Sequence, residues 1–384
     1  MARRNHIFLS LPGRARGKPG TGGAGAIAAA MAALLALAAC EGVKGPGARA
    51  SADEAGFAPT SQRKPVIARR QMVASANPIA SRVGLEILRK GGAAIDAAVA
   101  MQMVLTLVEP QSSGIGGSSF LMHFEASSGE IAAFEGRETA AQAVKETLFM
   151  NPDGTAMARD RYRVGGISVG VPGTLRMLER AQRRHGRLKW RSLFQPAIGL
   201  AKRGFKVSKR LHESIARDRY LSQYAAARAY FFDPSGQPLA VGALLKNPAL
   251  ARTLTAVSKI GANAFYRGSI AIDVARATRA DKRRPGLMRM ADVVGYRVKL
   301  RPTVCGPYRS WLVCGFGPPT AGGIATVMTL ALLERFDLAR LRPGSVEAVH
   351  LISEATRLVN ADRLRYVADP DFVSVPVSGL LDQG

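Results

Sequence analysis

Residues 94 to 107, AIDAAVAMQMVLTL, constrain the fold of this chain more than any other stretch. Set on a helix, the run is apolar nearly all round, and only Asp96, Gln102 and Thr106 interrupt it. A helix without a polar face does not lie on a surface; it is buried between other layers. Asp96 stands near its start, where the helix dipole favours a carboxylate, so its role reads as structural rather than catalytic. The preceding stretch supplies a second helix with clear ends. Asn77 caps it with Pro78 at the first position. Val83, Ile87 and Leu88 form its inner stripe, and Arg89, Lys90 and Gly91 suit its last turn and stop.

Strands follow. SSFLMHFEA and EIAAFEGRE are joined by Ser127-Ser128-Gly129, a hairpin signal. His123 alternates within the first strand and reads as a packed residue with no further role. Residues 171 to 207 read as two helices broken near Gly186 and ending at Gly204. NPALARTLTAVSKIGANAFYRGSIAIDVARATRA gives two more around a glycine-containing loop. A candidate hairpin spans 300 to 315. A Pro/Gly loop then opens a buried helix in GPPTAGGIATVMTLALLERFDL, and SVEAVHLISEATRLVNADRLRYVADP has apolar residues at helical spacing. The pattern predicts an α+β fold with sheets between helical layers.

The chain carries 54 Lys+Arg against 28 Asp+Glu, a formal charge of +26. That balance raises nucleic acid or an anionic membrane as partner. The charge is scattered, however, and no aromatic-basic interleaving suggests stacking on bases, so nucleic acid is not expected. The basic opening MARRNHIFLSLPGRARGK is followed by an apolar run, AIAAAMAALLALAA (26 to 39), too short to span a bilayer comfortably. It fits the core of a signal peptide. Leu37-Ala38-Ala39-Cys40 resembles the bacterial lipobox, whose cysteine is lipidated; an ordinary signal peptide with a chance cysteine is the alternative. The expectation is a signal peptide over 1–39, lipidation at Cys40, a flexible tether over 40–65, and a folded region over 66–384. A periplasmic, lipid-anchored protein follows, and by analogy Glu41 points to the outer membrane.

Two cysteines remain, Cys305 and Cys314, in an oxidising compartment. A two-residue turn at Arg309-Ser310 would pair 305 with 314 at a non-hydrogen-bonded position, within reach of a disulfide. A turn at Pro307-Tyr308 would shift the register and leave two thiols apart. Both arrangements stay open at this level.

The loop Gly114-Ile115-Gly116-Gly117 lacks the spacing of a dinucleotide fingerprint and has no P-loop lysine, so no nucleotide cofactor is expected. The five histidines are dispersed without metal-ligand spacing, and no metal is expected. No nucleophile elbow appears. What stands out is Arg137, between Glu135 and Glu138 at the end of the second strand. A guanidinium fork suits a carboxylate, and pairing with a neighbouring glutamate is the simpler alternative.

Eight blocks in order, among them EPQSSGIGGSSF, FEGRETA, GVPGTLRML, GANAFYRGSIA, PPTAGGI and EATRLVNADRLRYVADPDF, resemble the γ-glutamyltransferase (glutathione hydrolase) family from about residue 66 to 384. The resemblance implies an N-terminal nucleophile hydrolase, an αββα sandwich cut by itself into large and small subunits. It implies a threonine nucleophile whose own amine is the base, and γ-glutamyl transfer from a donor such as glutathione to water or an amine. It assigns Arg137 to the donor's α-carboxylate. The family's threonine block lies beyond residue 384. No catalytic residue is therefore assigned, Thr303 and Thr320 included, and the 384 residues are expected to form an incomplete sandwich that needs a small subunit. Two departures from the family pattern are Gly136, where a bulkier residue is common, and Ser118, where another glycine is.

Overall fold

The structure, a computed structural model, describes residues 66–382. The expected signal peptide, the lipidation site Cys40 and the tether lie outside the described residues.

Helix α1 (Pro78–Arg89) begins where the sequence puts it: Asn77 Oδ1 accepts the Ile79 N–H at 3.0 Å and Pro78 opens the first turn. It ends at Gly91, whose φ of 85° is the left-handed geometry of a helix stop. α1 packs on α2 (Ala94–Val108). The two approach closely at Gly84, where a Cβ would sit 2.3 Å from Met101 Sδ. Ile95, Val99, Met103, Val104 and Leu107 of α2 are buried, as an all-round apolar helix demands.

Asp96 is fully buried. Its Oδ2 accepts the N–H groups of Ala93 (2.9 Å), Arg187 (2.8 Å) and Leu188 (3.1 Å), and its Oδ1 accepts Gln182 Nε2 (3.2 Å). One carboxylate thus caps its own helix and fixes the loop after α3 (Thr174–His185). The stretch read as two helices up to Gly204 forms three: α3, α4 (Trp190–Leu193) and α5 (Gln195–Arg203). Pro196 restarts the helix at its first turn, where a missing N–H costs nothing. α6 (Pro248–Ile260) packs on α5, and α7 (Ser269–Arg279) follows the glycine-containing loop.

Strands β1 (Ser119–Glu125) and β2 (Glu130–Gly136) form the expected hairpin, antiparallel from Ser119↔Gly136 to Glu125↔Glu130. A short pair, β3 (Phe205–Lys206) with β4 (Leu244–Leu245), stands apart from it in a two-stranded sheet. β5 (Lys299–Arg301) adds to β2, giving a three-stranded antiparallel sheet in the order β1-β2-β5. α3 lies across β2 and α2 lies against α3, so helices layer on one face of the sheet. The large core runs through these helices and the buried side of β2, around Phe134.

β6 (Thr303–Tyr308) and β7 (Trp311–Phe316) form a second hairpin with the turn at Arg309-Ser310; Arg309 takes a φ of 55°. Cys305 and Cys314 face each other with Cα atoms 4.1 Å apart and are joined as a disulfide. α8 (Gly322–Leu333) packs on this hairpin around Val304, Ile324 and Val327. Its expected full burial is not found: only Gly323, Ile324, Val327 and Leu333 are buried. α9 (Val346–Tyr366) packs against α8 and leaves Val349, Ile352, Leu358 and Leu364 exposed. Its helical spacing of apolar residues is as read, but the described residues cover only part of its circumference.

Candidate functional site

The glycine loop before β1 is a helix cap. Ile115 anchors it in the core, and the Gly117 carbonyl accepts the N–H groups of Gly173 (3.0 Å) and Thr174 (3.3 Å) at the start of α3. Two orphan donors of that helix are satisfied in this way. Ser119 Oγ donates to Thr174 Oγ1 at 3.2 Å and tightens the same junction. Ser118 is exposed and adds no steric conflict to the loop.

Arg137 follows the last residue of β2. Its side chain is half exposed, its Nε lies 3.1 Å from Glu138 Oε1, and its Cζ sits 6.0 Å from the centre of the Phe120 ring. Glu135, the other glutamate within reach in sequence, is taken by Arg301. The rest of the Arg301 fork grips Asp371, with Nη1–Oδ1 at 2.9 Å and Nη2–Oδ2 at 2.8 Å. Lys299 joins Asp371 as well. Hydrogen bonds from Arg301 and Lys299 hold the Asp371 carboxyl well below the usual carboxylate range, and the Asp371 hydrogen bond raises Arg301. Among the described residues Glu138 is thus the one carboxylate paired with Arg137, through Nε alone. The terminal nitrogens of the fork remain available to a ligand.

The backbone behind Arg137 is rigidly held. Tyr296 Oη donates to the Arg137 carbonyl at 2.6 Å, and Tyr296 stacks on Tyr266 at 5.8 Å. Tyr266 Oη donates to the Pro172 carbonyl at 2.7 Å. Burial pushes both phenols above their usual range, so both stay protonated donors. Gly173 fits because it has no side chain: a Cβ there would meet Tyr296 Oη at 2.2 Å and the Gly136 carbonyl at 2.3 Å. Gly136 is explained likewise, since its Cβ would lie 2.6 Å from Met177 Cβ on α3. The departure from the bulkier residue common in the resembled family is matched by Met177 filling the space. Sequence reasoning singled out Arg137 but missed Tyr296, which no motif marks.

Beside Phe120 lies a hollow of about 340 Å³ lined by Phe316, Thr320, Gly322, Gly323 and Val327. Phe120 and Phe316 are in contact at 4.5 Å. Thr320 Oγ1 accepts the Gly322 N–H at 3.3 Å, and Thr303 Oγ1 is 4.0 Å from Cys305 Sγ; among the described residues neither hydroxyl is hydrogen-bonded to a base. The arrangement can hold a carboxylate beside an apolar wall. It does not by itself break a bond.

One grouping escapes the linear reading of dispersed histidines. His123 of β1 and His185 at the end of α3 meet with ring centres 4.1 Å apart, and Glu125 Oε2 lies 3.6 Å from His123 Nε2. Burial, and then the neighbouring His123, push the His185 imidazole below its usual value.

The helical layers over an antiparallel sheet define the class. The chain has the fold of an N-terminal nucleophile hydrolase: it superposes on the crystal structure of Helicobacter pylori gamma-glutamyltranspeptidase with a TM-score of 0.79 and 33% identity, over 83% of this chain and 90% of that one. Residues 80–384 match the gamma-glutamyltranspeptidase family model, and the chain belongs to that family. It is 35% identical over 310 residues to the glutathione hydrolase proenzyme of Bacillus subtilis, covering 81% of this chain and 52% of that protein. It is 36% identical over 329 residues to the acylase ACY 1 proenzyme of a Pseudomonas strain, covering 84% and 58%. The chain therefore spans about half the length of the curated relatives it matches.

Proposed function

We propose that this chain is the large-subunit portion of an exported γ-glutamyltransferase, in which Arg137 holds the α-carboxylate of a donor such as glutathione. The observation that carries the reading is the Arg137 fork. It is half exposed, paired through Nε alone, and set on a carbonyl fixed by Tyr296. A planar guanidinium offers a carboxylate two parallel charge-assisted hydrogen bonds. The names of the relatives supply the donor class: glutathione hydrolase proenzymes are among them.

The nucleophile in this reading is a threonine of a small subunit, which attacks the γ-carbonyl carbon and expels the amine. Water or an amine then takes the acyl group. The 384 residues alone bind the donor and do not turn it over. Cys40 carries a lipid anchor in the periplasm; mass spectrometry of the N-terminal peptide from the native host tests that part, and an unmodified Cys40 refutes it.

Release of p-nitroaniline from a γ-glutamyl anilide, with and without a co-expressed small-subunit polypeptide, tests the catalytic part. Activity is expected only with both halves. Arg137→Ala is expected to weaken donor binding about 10- to 150-fold, the equivalent of ~1.5–3 kcal/mol for a charged hydrogen-bonded pair. Turnover by the chain alone, lost in Arg137→Ala, would overturn the assignment of the nucleophile. Donor binding without turnover in the two-part assembly would favour a non-catalytic envelope lipoprotein. The 36% identity to an acylase favours one more comparison, an acyl donor lacking the α-amino group; preference for it would shift the substrate class and keep the clamp.

A further inference from the structure

At the turn end of the β1–β2 hairpin, the end opposite Arg137, the structure brings together three groups that the acyl-transfer reading does not use. His123 lies on β1, two residues before Glu125, and His185 closes α3. One ligand atom from each of His123, Glu125 and His185 lies within 4.8 Å of the other two. The Nε2 atoms of His123 and His185 are both buried and have no hydrogen-bond partner among the described residues. Buried polar atoms are normally satisfied, so two orphaned imidazole nitrogens side by side need an explanation. Protons do not satisfy both: two imidazolium rings 4.1 Å apart would repel each other, and a proton on His123 alone, with Glu125 Oε2 3.6 Å from its Nε2, leaves the His185 Nε2 orphaned. A cation that accepts a lone pair from each ring satisfies both.

The surroundings suit such an ion. Glu125 Oε1 accepts from Ser127 Oγ at 3.0 Å, which turns the other carboxylate oxygen toward His123. Outer contacts of this kind orient metal ligands. Phe134, fully buried, meets the His185 ring edge-on at 5.8 Å and fixes its plane. The other charged groups facing the cluster are Arg184 from α3 and Glu130 from β2, which pair at 3.2 Å. Glu125 and Glu130 against Arg184 leave a net charge of −1 around neutral rings. Ligands of a tetrahedral zinc ion at ~2.0–2.1 Å are about 3.3 Å apart, so rotation of the exposed Glu125 side chain and small ring movements close the site. Two imidazoles and one carboxylate are a borderline donor set, which favours zinc-like ions over magnesium or calcium.

We propose that His123, Glu125 and His185 bind one divalent first-row transition ion of the zinc type, with solvent completing its coordination. The ion ties the hairpin to the end of α3. This site is independent of the acyl-transfer reading and stands or falls without it.

The test uses the full 384-residue chain, stripped with a chelator and titrated with Co²⁺, then with Zn²⁺ in competition. The expected result is one equivalent of Co²⁺ with visible d–d bands, no thiolate charge-transfer band, and displacement by Zn²⁺. Zinc at about 100 times its Kd is expected to raise Tm by about 4 °C. Outer-shell partners alone change metal affinity ~10- to 100-fold, so His185→Gln is expected to cost more than about 100-fold. Glu125→Gln, at an exposed position, is expected to cost at least about tenfold and leave the circular dichroism spectrum unchanged. If the histidine variants fail to fold, that exposed variant decides, together with zinc-induced shifts of the two Nε2 resonances in ¹⁵N NMR of the unaltered chain. Absence of saturable binding below about 1 mM, the ceiling taken here from the weakest natural calcium sites, overturns the proposal. So does a thiolate band, or affinity unchanged in the His123→Gln/His185→Gln double variant.

Discussion

Gly173→Ala tests whether the backbone behind Arg137 is held as rigidly as the contacts imply. Gly173 has φ −117° and ψ −20°, which any residue adopts, so backbone strain adds nothing to the cost. The cost is overlap. The new methyl would stand 2.2 Å from Tyr296 Oη and 2.3 Å from the Gly136 carbonyl, and neither belongs to the free end of a flexible side chain. Overpacking of this sort costs ~1–3 kcal/mol. Displacing Tyr296 also stretches its hydrogen bond to the Arg137 carbonyl, worth ~0.5–1.5 kcal/mol. The total is about 2–4 kcal/mol. With an unfolding entropy of ~2.1 cal/mol/K per residue over roughly 300 residues, Tm falls by about 3–6 °C. Urea melts followed by circular dichroism measure the loss. A double-mutant cycle sharpens it, because Tyr296→Phe removes the hydroxyl that the methyl strikes. The double variant should lose less than the sum of the two single losses, by at least ~0.5 kcal/mol. Additive losses would refute the reasoning, since the methyl would then not be meeting that hydroxyl.

Asp96→Ala strips a partner from the N–H groups of Ala93, Arg187 and Leu188 at once; at ~1–3 kcal/mol for each orphaned donor, a loss above about 3 kcal/mol is expected in the same melts. The Cys305–Cys314 loop has a sequence separation of 9, for which closure entropy gives ~2–3 kcal/mol. Cys305→Ser/Cys314→Ser should lose about that much, and thiol titration of the unaltered, unfolded but unreduced chain should find no thiol beyond that of Cys40. Asp371, its pKa depressed by Arg301 and Lys299, contributes stability above the unfolded carboxylate value of about 3.9 that is lost as the pH falls below it. Asp371→Asn should flatten the pH dependence of stability in that acid window, and an unchanged profile would show that the carboxylate is not held by these partners.

Local chemistry was readable; distant partnerships were not. Asn77, Pro78 and Gly91 mark the ends of α1 by capping and φ preference, which act within a few residues. The β1–β2 register follows from alternation around a glycine turn, with Gly129 at φ 72°. Arg309 at φ 55° shows the limit of that approach: nothing about an arginine announces a left-handed turn, and the cysteine spacing was the better guide. Arg137 was legible through its motif. Its support was not, because Tyr296 reaches it from 159 residues away and Gly136, Gly173 and Met177 matter through what they exclude. His123 looked like an ordinary packed residue because its partner stands on another element. α8 read as a buried helix, yet only Gly323, Ile324, Val327 and Leu333 are covered, because an apolar run reveals a stripe but not what covers it.

The Arg301 fork has a mechanical consequence. One guanidinium holds Glu135, two residues before Arg137, and with its other edge holds Asp371, beyond α9. It is a shackle between the strand that leads to Arg137 and the segment that follows the last long helix. Tension or displacement at residues 369 to 373 passes into β2 through a single planar group, without crossing the helical layers. A displacement of that segment is therefore passed to the strand that ends at Arg137, so the position of the Arg137 guanidinium becomes a gauge of how that segment is seated.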